Sequence, residues 1–376
     1  MSSSGLTTSL GPGSVDDETL AAMVADLLGH PVVDLLRVDV DRVAYDLPSI
    51  TTTARHWVSG TARTPDGVEP WRIFVKQVQS WRHSPLFADV PDEVRELAAA
   101  GVPWRIEPLV YRSDLHEHLP AGLSMPRALG VFDLAQDAAA IWLPEVEHST
   151  VAWTPHRYER AAYLLGRLAG NRAVAARAEV GCFDWSPRVY LEGRLRFDVV
   201  PSLRGADAWQ VPGVAEAFGD ELRVRLNDSV GRLDAMVDEL VALPRASAHG
   251  DASPNNLLPG SNEDDLILID FGFFMTQPIA FDLGQLIAGE TQLGDGPDDL
   301  EGVDDACVTA YTRGLTDEGV SVDRAVVRRA HALQLFIFAG ISTLPGREAM
   351  PPAQLARRAA LARLSLDLLD ATQPAA

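Results

Sequence analysis

The chain has 376 residues, of which 47% are hydrophobic, enough to fill the cores of two sizeable lobes. Its formal net charge is −21, from 53 acidic against 32 basic residues, so nucleic acid and anionic membranes would be repelled over much of the surface. A cationic small molecule would be attracted, although acidity also simply keeps a protein in solution.

Cysteine content and apolar runs bear on the compartment. Two cysteines, Cys182 and Cys307, are too few for a disulfide framework or a zinc site. The N-terminal residues have neither the basic nor the apolar segment of a signal peptide, and no apolar run is long enough to span a bilayer. We therefore expect a cytoplasmic protein without a membrane partner.

The N-terminal 29 residues divide into two parts. Residues 1–15 are rich in Ser, Gly and Thr, which predicts a disordered tail. Residues 16–29 have acidic residues in the first turn, a terminal glycine and apolar residues at helical spacing. This pattern predicts a short helix.

Three segments between residues 34 and 79 have strand composition: LLRVDVDRVAYDL, ARHWVSGTART and WRIFVKQVQ. The turn Pro65-Asp66-Gly67 joins the last two, so we predict an antiparallel sheet of at least three strands. Lys76 lies among apolar residues in the third strand. It is either a lysine that extends from a half-exposed strand to solvent or a functional cation.

Residues 248–274 carry the clearest chemical pattern. After a predicted helix in residues 229–244 come His249, Gly250 and Asp251, then Asn256, then an apolar strand that ends at Asp270. Phosphoryl transfer needs a carboxylate beside the attacking hydroxyl and oxygen ligands for Mg²⁺, and this segment contains both. A turn role for Asn256 and a cap role for Asp270 would explain each residue singly but not their spacing.

The sequences HGDASPNNLL, LILIDFGFF and FDLGQLIAGE, in this order, resemble the aminoglycoside phosphotransferase family of the protein-kinase-like superfamily. Protein kinases usually have arginine where Gly250 stands. The resemblance implies an α+β, bilobal protein-kinase-like fold. We expect an antiparallel-sheet, nucleotide-binding N-terminal lobe over residues 16–144 and a mainly helical C-terminal lobe for catalysis and acceptor binding over residues 145–376.

The same resemblance assigns roles to residues. Asp251 would orient and deprotonate the acceptor hydroxyl, Asn256 and Asp270 would hold Mg²⁺, and Lys76 would contact the α- and β-phosphates of the nucleotide. Glu107 would pair with Lys76, although Pro108 follows it and proline suits only the first turn of a helix. Glu96 or Glu93 could pair with Lys76 instead, or Glu107 could lie at the surface.

Three further assignments follow from the family pattern. The link that would cover the nucleotide phosphates is Ser49–Thr53, where Thr51, Thr52 and Thr53 provide hydroxyls and backbone N–H groups but no glycine is present. Glu145 and Val146 would neighbour the nucleotide base. Asp282 would begin a helix and accept hydrogen bonds from the backbone of the catalytic loop.

The resulting prediction is a Mg²⁺-dependent phosphotransferase that moves the γ-phosphoryl group of ATP or GTP to a hydroxyl of a small molecule. An antibiotic is the expected acceptor, which would make the activity a resistance function. The alternatives are a metabolic kinase for choline, a sugar or an amino alcohol, and a catalytically inactive nucleotide-binding module. The acidic run of residues 290–305 would suit an amine-bearing acceptor, or is a solvated loop.

Overall fold

The computed structural model describes residues 9–44, 49–134, 137–147, 151–181, 183, 185–346 and 349–373. The chain divides into two compact units. Unit 1 contains residues 1–117 and 125–147, and unit 2 contains residues 118–124 and 148–376. The division after residue 147 lies three residues beyond the boundary expected from the sequence.

Ten strands occur in the described residues: β1 Asp34–Arg42, β2 Thr52–Thr64, β3 Gly67–Gln79, β4 Leu123–Ser124, β5 Gly130–Leu134, β6 Ala138–Pro144, β7 Arg245–Ala248, β8 Leu257–Pro259, β9 Leu266–Leu268 and β10 Met275–Pro278.

The α-helices are α1 Asp17–Leu28, α2 Arg95–Ala100, α3 Ile106–Arg112, α4 Pro155–Gly170, α5 Arg172–Ala175, α6 Pro187–Tyr190, α7 Val200–Arg204, α8 Ala206–Trp209, α9 Val214–Val230, α10 Leu233–Ala242, α11 Phe281–Leu293, α12 Leu300–Asp317, α13 Arg324–Phe338 and α14 Pro352–Ala371. A π-helix, Leu191–Val199, follows α6, and short 3₁₀ turns lie between the other elements.

Unit 1 is built on a five-stranded antiparallel sheet with the order β1-β2-β3-β6-β5. The predicted turn joins β2 to β3, because β2 ends at Thr64 and β3 begins at Gly67. Apolar residues of the sheet pack with the buried face of α1, which Asp16 caps at its N-terminus and Gly29 ends in the left-handed conformation. The predicted helix and the predicted antiparallel sheet are both confirmed.

The expected disordered tail differs from the structure over its second half. Residues 1–8 lie outside the described residues, but residues 9–15 include a 3₁₀ turn at Gly11–Gly13. Leu10 is buried in the core of unit 1, and its carbonyl oxygen accepts a hydrogen bond from Nε2 of Gln77 at 2.8 Å. The Ser- and Gly-rich composition gave no indication that Leu10 is buried in the core of unit 1.

Unit 2 is mainly helical. Helices α4 and α12 approach so closely that a Cβ on Gly166 would lie 2.2 Å from the carbonyl oxygen of Tyr311. Two small sheets accompany the helices: β10 pairs with β7, and β9 pairs with both β4 and β8. The predicted α+β class, with a sheet-based first lobe and a helical second lobe, is therefore confirmed.

None of the helices in the described residues combines the length and the apolar character that crossing a bilayer requires.

Candidate active site

The loop that carries Asp251 begins at the end of a strand. We predicted that a helix would lead directly into it, but β7 lies between the end of α10 at Ala242 and the loop. Pairing of β7 with β10 accounts for this strand, since Ala248 lies opposite Met275. The loop then passes through a 3₁₀ turn, Pro254–Asn256, into β8. The strand pairing thus fixes both ends of the loop.

His249 connects the loop to the segment that ends at Asp270. Its side chain is fully buried, its Nε2 lies 3.0 Å from the carbonyl oxygen of Ile269, and its Nδ1 lies 3.4 Å from the backbone nitrogen of Asp251. A neutral ring with the proton on Nε2 satisfies both contacts, donating to Ile269 and accepting from Asp251. Burial lowers the pKa of His249 to about 4, opposed by the nearby charge of Asp270, so the ring is neutral at pH 7.

Asp282 holds the same loop from the first turn of α11. Its two carboxylate oxygens accept hydrogen bonds from the backbone N–H groups of His249 and Gly250, at 2.9 Å and 2.8 Å. The side chain is buried, which raises the pKa of Asp282 to about 6, while the two N–H donors act in the opposite direction. The predicted structural role of Asp282 is confirmed by these contacts.

Gly250 has a backbone conformation that other residues rarely adopt. Its φ is 84°, and a Cβ at this position would lie 2.1 Å from the carbonyl oxygen of Phe273. The loop and the segment after Asp270 therefore approach each other at a point where no side chain fits. This contact explains why glycine stands here instead of arginine.

The structure brings Asp251 and Asn256 together and places Asp270 beside the same loop. Nδ2 of Asn256 donates to Oδ2 of Asp251 at 3.0 Å and to the backbone oxygen of Asp251 at 2.9 Å. The backbone oxygen of Asn256 accepts from the N–H of Ile269 at 3.1 Å, one residue before Asp270. Asp270 itself has a φ of 62°, an uncommon value for a non-glycine residue that is worth noting at a functional site.

The donor atoms of this group suit a hard divalent cation. Because Nδ2 of Asn256 is oriented toward Asp251, the amide oxygen is the remaining acceptor of that side chain. Amide and carboxylate oxygens are the ligands that Mg²⁺ prefers. No group of three or more His, Cys, Asp or Glu side chains in the described ranges could hold a metal ion, so a metal here would depend on the mixed set of Asn256 and Asp270.

Lys76 and Glu107 form a buried ion pair in unit 1. Nζ of Lys76 lies 2.7 Å from Oε2 and 2.9 Å from Oε1 of Glu107, and the side chains are only 7% and 5% exposed. Pro108 is the third residue of α3, within the first turn where proline is tolerated. Glu96 instead forms a two-bond, exposed pair with Arg82, so the choice among the glutamates is settled in favour of Glu107.

The remaining predicted nucleotide contacts also lie in unit 1. Thr52 and Thr53 begin β2, immediately after Thr51, and the hydroxyl of Thr53 donates to the backbone oxygen of Gln77 at 3.2 Å. Glu145 and Val146 follow the end of β6, where Oε1 of Glu145 lies 2.6 Å from Nη1 of Arg72. The side chain of Glu145 is thus committed to an ion pair, and its predicted role as a neighbour of the base would depend on backbone groups.

The acidic run of residues 290–305 is less available to a ligand than its composition indicated. Asp304 is fully buried and pairs with His331 at 2.5 Å and with Arg328 at 2.7 Å. Asp298 pairs with Arg357 at 2.6 Å. Asp304 therefore belongs to the core of the helical unit, whereas Asp298 forms an exposed ion pair. Fewer carboxylates of this run are thus available to attract an amine.

Sequence reasoning missed the role of His249 and an aromatic cluster in unit 2. The cluster consists of Trp185, Phe273, Phe281, Tyr190 and Phe338, with ring centroids 4.7–6.4 Å apart. It packs the segment after Asp270 against α6, α11 and the end of α13. For His249 the signal was present in the HGD motif, whereas the aromatic residues are scattered along the sequence and gave no pattern.

A sheet unit with a buried lysine–glutamate pair, together with a helical unit that carries an HGD…N…DFG loop, defines the class of kinase-like phosphotransferases. The comparison with protein families agrees. The model of the phosphotransferase enzyme family (APH) matches residues 75–319, about two-thirds of the chain, and the chain belongs to this family. The resemblance inferred from the sequence is therefore confirmed.

Several solved structures are similar to the chain at low identity. An amicoumacin kinase in complex with AMP-PNP, Ca²⁺ and Ami is 12% identical, with 95% of this chain and 94% of that chain covered and a TM-score of 0.48. An aminoglycoside phosphotransferase from Alicyclobacillus acidocaldarius is 15% identical, with 90% and 92% covered and a TM-score of 0.49. An ethanolamine kinase from Plasmodium vivax is 10% identical, with 98% and 92% covered and a TM-score of 0.46. No curated protein sequence matches the chain.

Proposed function

We propose that the chain transfers the γ-phosphoryl group of ATP or GTP to a hydroxyl of a small molecule, with Mg²⁺ as cofactor and an antibiotic as acceptor. The observation that carries this proposal is the hydrogen bond between Asn256 and Asp251, in a loop whose backbone is bonded to the residue before Asp270. Membership of the phosphotransferase enzyme family supports the reaction class. The nucleotide, the metal and the acceptor are the parts that the proposal adds.

Asp251 is the proposed catalytic residue. Its carboxylate would accept a hydrogen bond from the acceptor hydroxyl and take up the proton late in the reaction, because a loose phosphoryl-transfer transition state requires little charge on the nucleophile. The Asn256 amide fixes the carboxylate by donating to Oδ2. The acceptor hydroxyl would meet this oriented carboxylate.

The other residues would bind and orient the nucleotide. When bound, Mg²⁺ would neutralise charge on the phosphates, and Asn256 and Asp270 would hold it. Lys76, oriented by Glu107, would place its ammonium group against the α- and β-phosphates. Backbone groups of residues 51–53 and 145–146 would contact the phosphates and the base.

Substitution of Asp251 tests the proposed catalytic role. We expect Asp251→Asn to lower kcat by about a hundred- to ten-thousand-fold, the usual contribution of a general base, with nucleotide affinity nearly unchanged. The measurement is phosphoryl transfer from γ-labelled ATP, beside titration of ATP·Mg²⁺ binding. Asp264→Asn, at an exposed aspartate, is the control and should have full activity. Equal loss of turnover and of nucleotide affinity would contradict the role of Asp251.

An acceptor screen separates the proposed function from its alternatives. Purified protein would be incubated with γ-labelled ATP and, separately, GTP, against hydroxylated antibiotics, choline, sugars and amino alcohols. Transfer to an antibiotic with the highest kcat/KM supports a resistance function, and transfer to a metabolite identifies a metabolic kinase. Binding of a nucleotide without transfer to any acceptor or to water would indicate a catalytically inactive module.

A further inference from the structure

A second concave site lies within unit 2, among residues that the proposed phosphoryl transfer does not use. It is a cleft of about 240 Å³ between the π-helix Leu191–Val199, helix α7, the turn at Gly340–Ser342 and helix α14. Its polar lining consists of Arg194, Asp198, Ser202, Ser342 and Arg358. Of the residues that the structure describes, two arginines, two serines and one aspartate therefore line one small volume.

Arg358 is held in place by the backbone and not by an acidic side chain. Its Nε donates to the carbonyl oxygen of Thr343 at 2.6 Å and its Nη2 to that of Ser342 at 3.1 Å, while Nη1 lies 3.7 Å from the sulfur of Met350. Among the described residues, no carboxylate pairs with Arg358. A guanidinium has five N–H donors, so at least two of them remain for a ligand in the cleft.

The guanidinium group of Arg358 is also only partly hydrated. The side chain is half-buried, and desolvation lowers its pKa from the usual value, although an arginine stays charged at any physiological pH. A desolvated cation that lacks an acidic partner is costly unless an anion can reach it. On a protein with a net charge of −21, a cation that no carboxylate of the described residues pairs with is unusual.

Arg194 supplies a second, more adjustable cation. Its Nε lies 3.8 Å from Oδ2 of Asp198, a loose pair in which the side chains are 63% and 72% exposed. Such a pair contributes little and can be exchanged for a ligand. Counting Arg194, Arg358 and Asp198, the lining has a net charge of +1.

The wall that carries Arg194 is fixed in position. Tyr190, which precedes the π-helix, stacks on Phe338 with ring centroids 4.7 Å apart, and Phe338 contacts Phe281 at 5.1 Å. Phe338 also lies at the end of α13, shortly before Ser342 of the opposite wall. The cleft is therefore a preformed feature of the helical unit.

We propose that this cleft binds an anionic group, a carboxylate or a phosphate, of a small molecule. Arg358 provides the half-buried anchor through the N–H groups that the backbone does not engage, Arg194 binds from the exposed side, and the hydroxyls of Ser202 and Ser342 bond the remaining oxygens. At about 240 Å³, the volume suits a head group and not a whole drug-sized molecule.

Titration of the full chain with inorganic phosphate and with malonate, followed by calorimetry, tests the proposal. We expect saturable binding to the unsubstituted protein, an affinity about tenfold or more weaker in Arg358→Gln, and a smaller loss in Arg194→Gln. Arg363→Gln is the matched control, because Arg363 lies on the same helix and also donates to backbone carbonyls, those of Ala217 and Phe218. Its affinity should be unchanged.

Two results would overturn the anion site. One is the absence of saturable binding of either anion to the unsubstituted protein. The other is equal affinity in Arg358→Gln and Arg363→Gln. If Arg358→Gln unfolds in a thermal melt, Arg194→Gln decides, since it leaves the hydrogen bonds from Arg358 to the turn at residues 342–343 in place. Unchanged binding in Arg194→Gln would then reject the site.

Steady-state kinetics distinguish an anionic group of the acceptor from a separate anionic effector. This experiment alone rests on the proposed function. An acceptor with an acid group would be compared with its methyl ester in the unsubstituted protein and in Arg358→Gln. A rise in KM for the acid alone assigns the cleft to the acceptor. An equal effect on both assigns it to a separate anionic effector. Calorimetry requires no turnover, so failure of the proposed function leaves the binding result intact.

Discussion

The proposed functional residues of the two units are held in position in different ways. In unit 1, Lys76 and Glu107 depend on one another, through two bonds between side chains 31 positions apart. In unit 2, the loop around Asp251 is held by Asp282 and His249, mostly through hydrogen bonds to backbone groups. The first arrangement fails when either partner is lost, whereas the second distributes the constraint over several bonds.

The comparison shows what each arrangement is suited to do. A side-chain ion pair makes the position of the lysine depend on a single partner, Glu107. A loop bonded through its backbone keeps a carboxylate in one position whatever the ligand. The two arrangements should therefore respond differently to substitution, and three measurements of stability and kinetics test this difference.

The largest expected effect is on the ion pair. Glu107→Gln leaves the ammonium group of Lys76 buried without a charged partner, at a cost of about 3–5 kcal/mol in the free energy of unfolding. Denaturant unfolding measures it, with Glu96→Gln as the control, because that glutamate is exposed and paired at the surface. The double variant Lys76→Met with Glu107→Leu should recover much of the loss. Equal effects of Glu107→Gln and Glu96→Gln would contradict the dependence of the two residues on one another.

The next effect is a pH dependence due to His249. Burial holds its pKa at about 4, below the unfolded value of about 6.5, so between these values the unfolded chain binds more protons. The contribution of His249 to stability is complete above pH 6.5 and is lost as the pH falls toward 4, by about 3 kcal/mol. The difference in unfolding free energy between the unsubstituted protein and His249→Gln should therefore shrink on acidification.

The contribution of Asp282 to stability changes with pH in the opposite direction to that of His249. The difference in unfolding free energy between the two proteins removes this shared contribution. The pKa of Asp282 is raised to about 6, so its own contribution falls as the pH rises from about 4 to 6, and it is common to both proteins. Unfolding curves at several values between pH 4 and pH 7 give the result. A constant difference over that range would show that the ring of His249 is charged in the folded protein or exposed to solvent.

The smallest effect is expected for Asp282→Asn. An amide has one acceptor oxygen, so one of the two backbone N–H groups, of His249 or Gly250, loses its partner. We expect a loss of about 1–3 kcal/mol in stability, with a fall in kcat that exceeds any change in KM. Unfolding and steady-state kinetics would both be measured beside Asp264→Asn. A change in neither would mean that the loop does not depend on Asp282.

The loop around Asp251 was predictable from the sequence because its residues lie close together along the chain. His249, Asp251 and Asn256 lie within eight positions, and Asp270 follows after the two short strands β8 and β9, so the spacing indicated their proximity. The helix α1 and the turn between β2 and β3 were predictable for the same reason, from caps and turn residues.

Contacts between residues far apart in the sequence were harder to predict. Glu107 and Glu96 are both plausible partners of Lys76 by composition, and only the resemblance favoured the former. The π-helix Leu191–Val199 has no apolar period that distinguishes it, and Leu10 is a single apolar residue in a polar segment. The strand β7 was missed because its pairing with β10 depends on residues 27 positions apart at Ala248 and Met275.

The glycine at position 250 has a consequence for regulation. In protein kinases an arginine at this point can receive a phosphate from a modified activation loop and so assemble the site on demand. Here the carbonyl of Phe273 occupies the space that the first carbon of any side chain would need. A side chain that receives such a phosphate therefore cannot stand at position 250 of this loop.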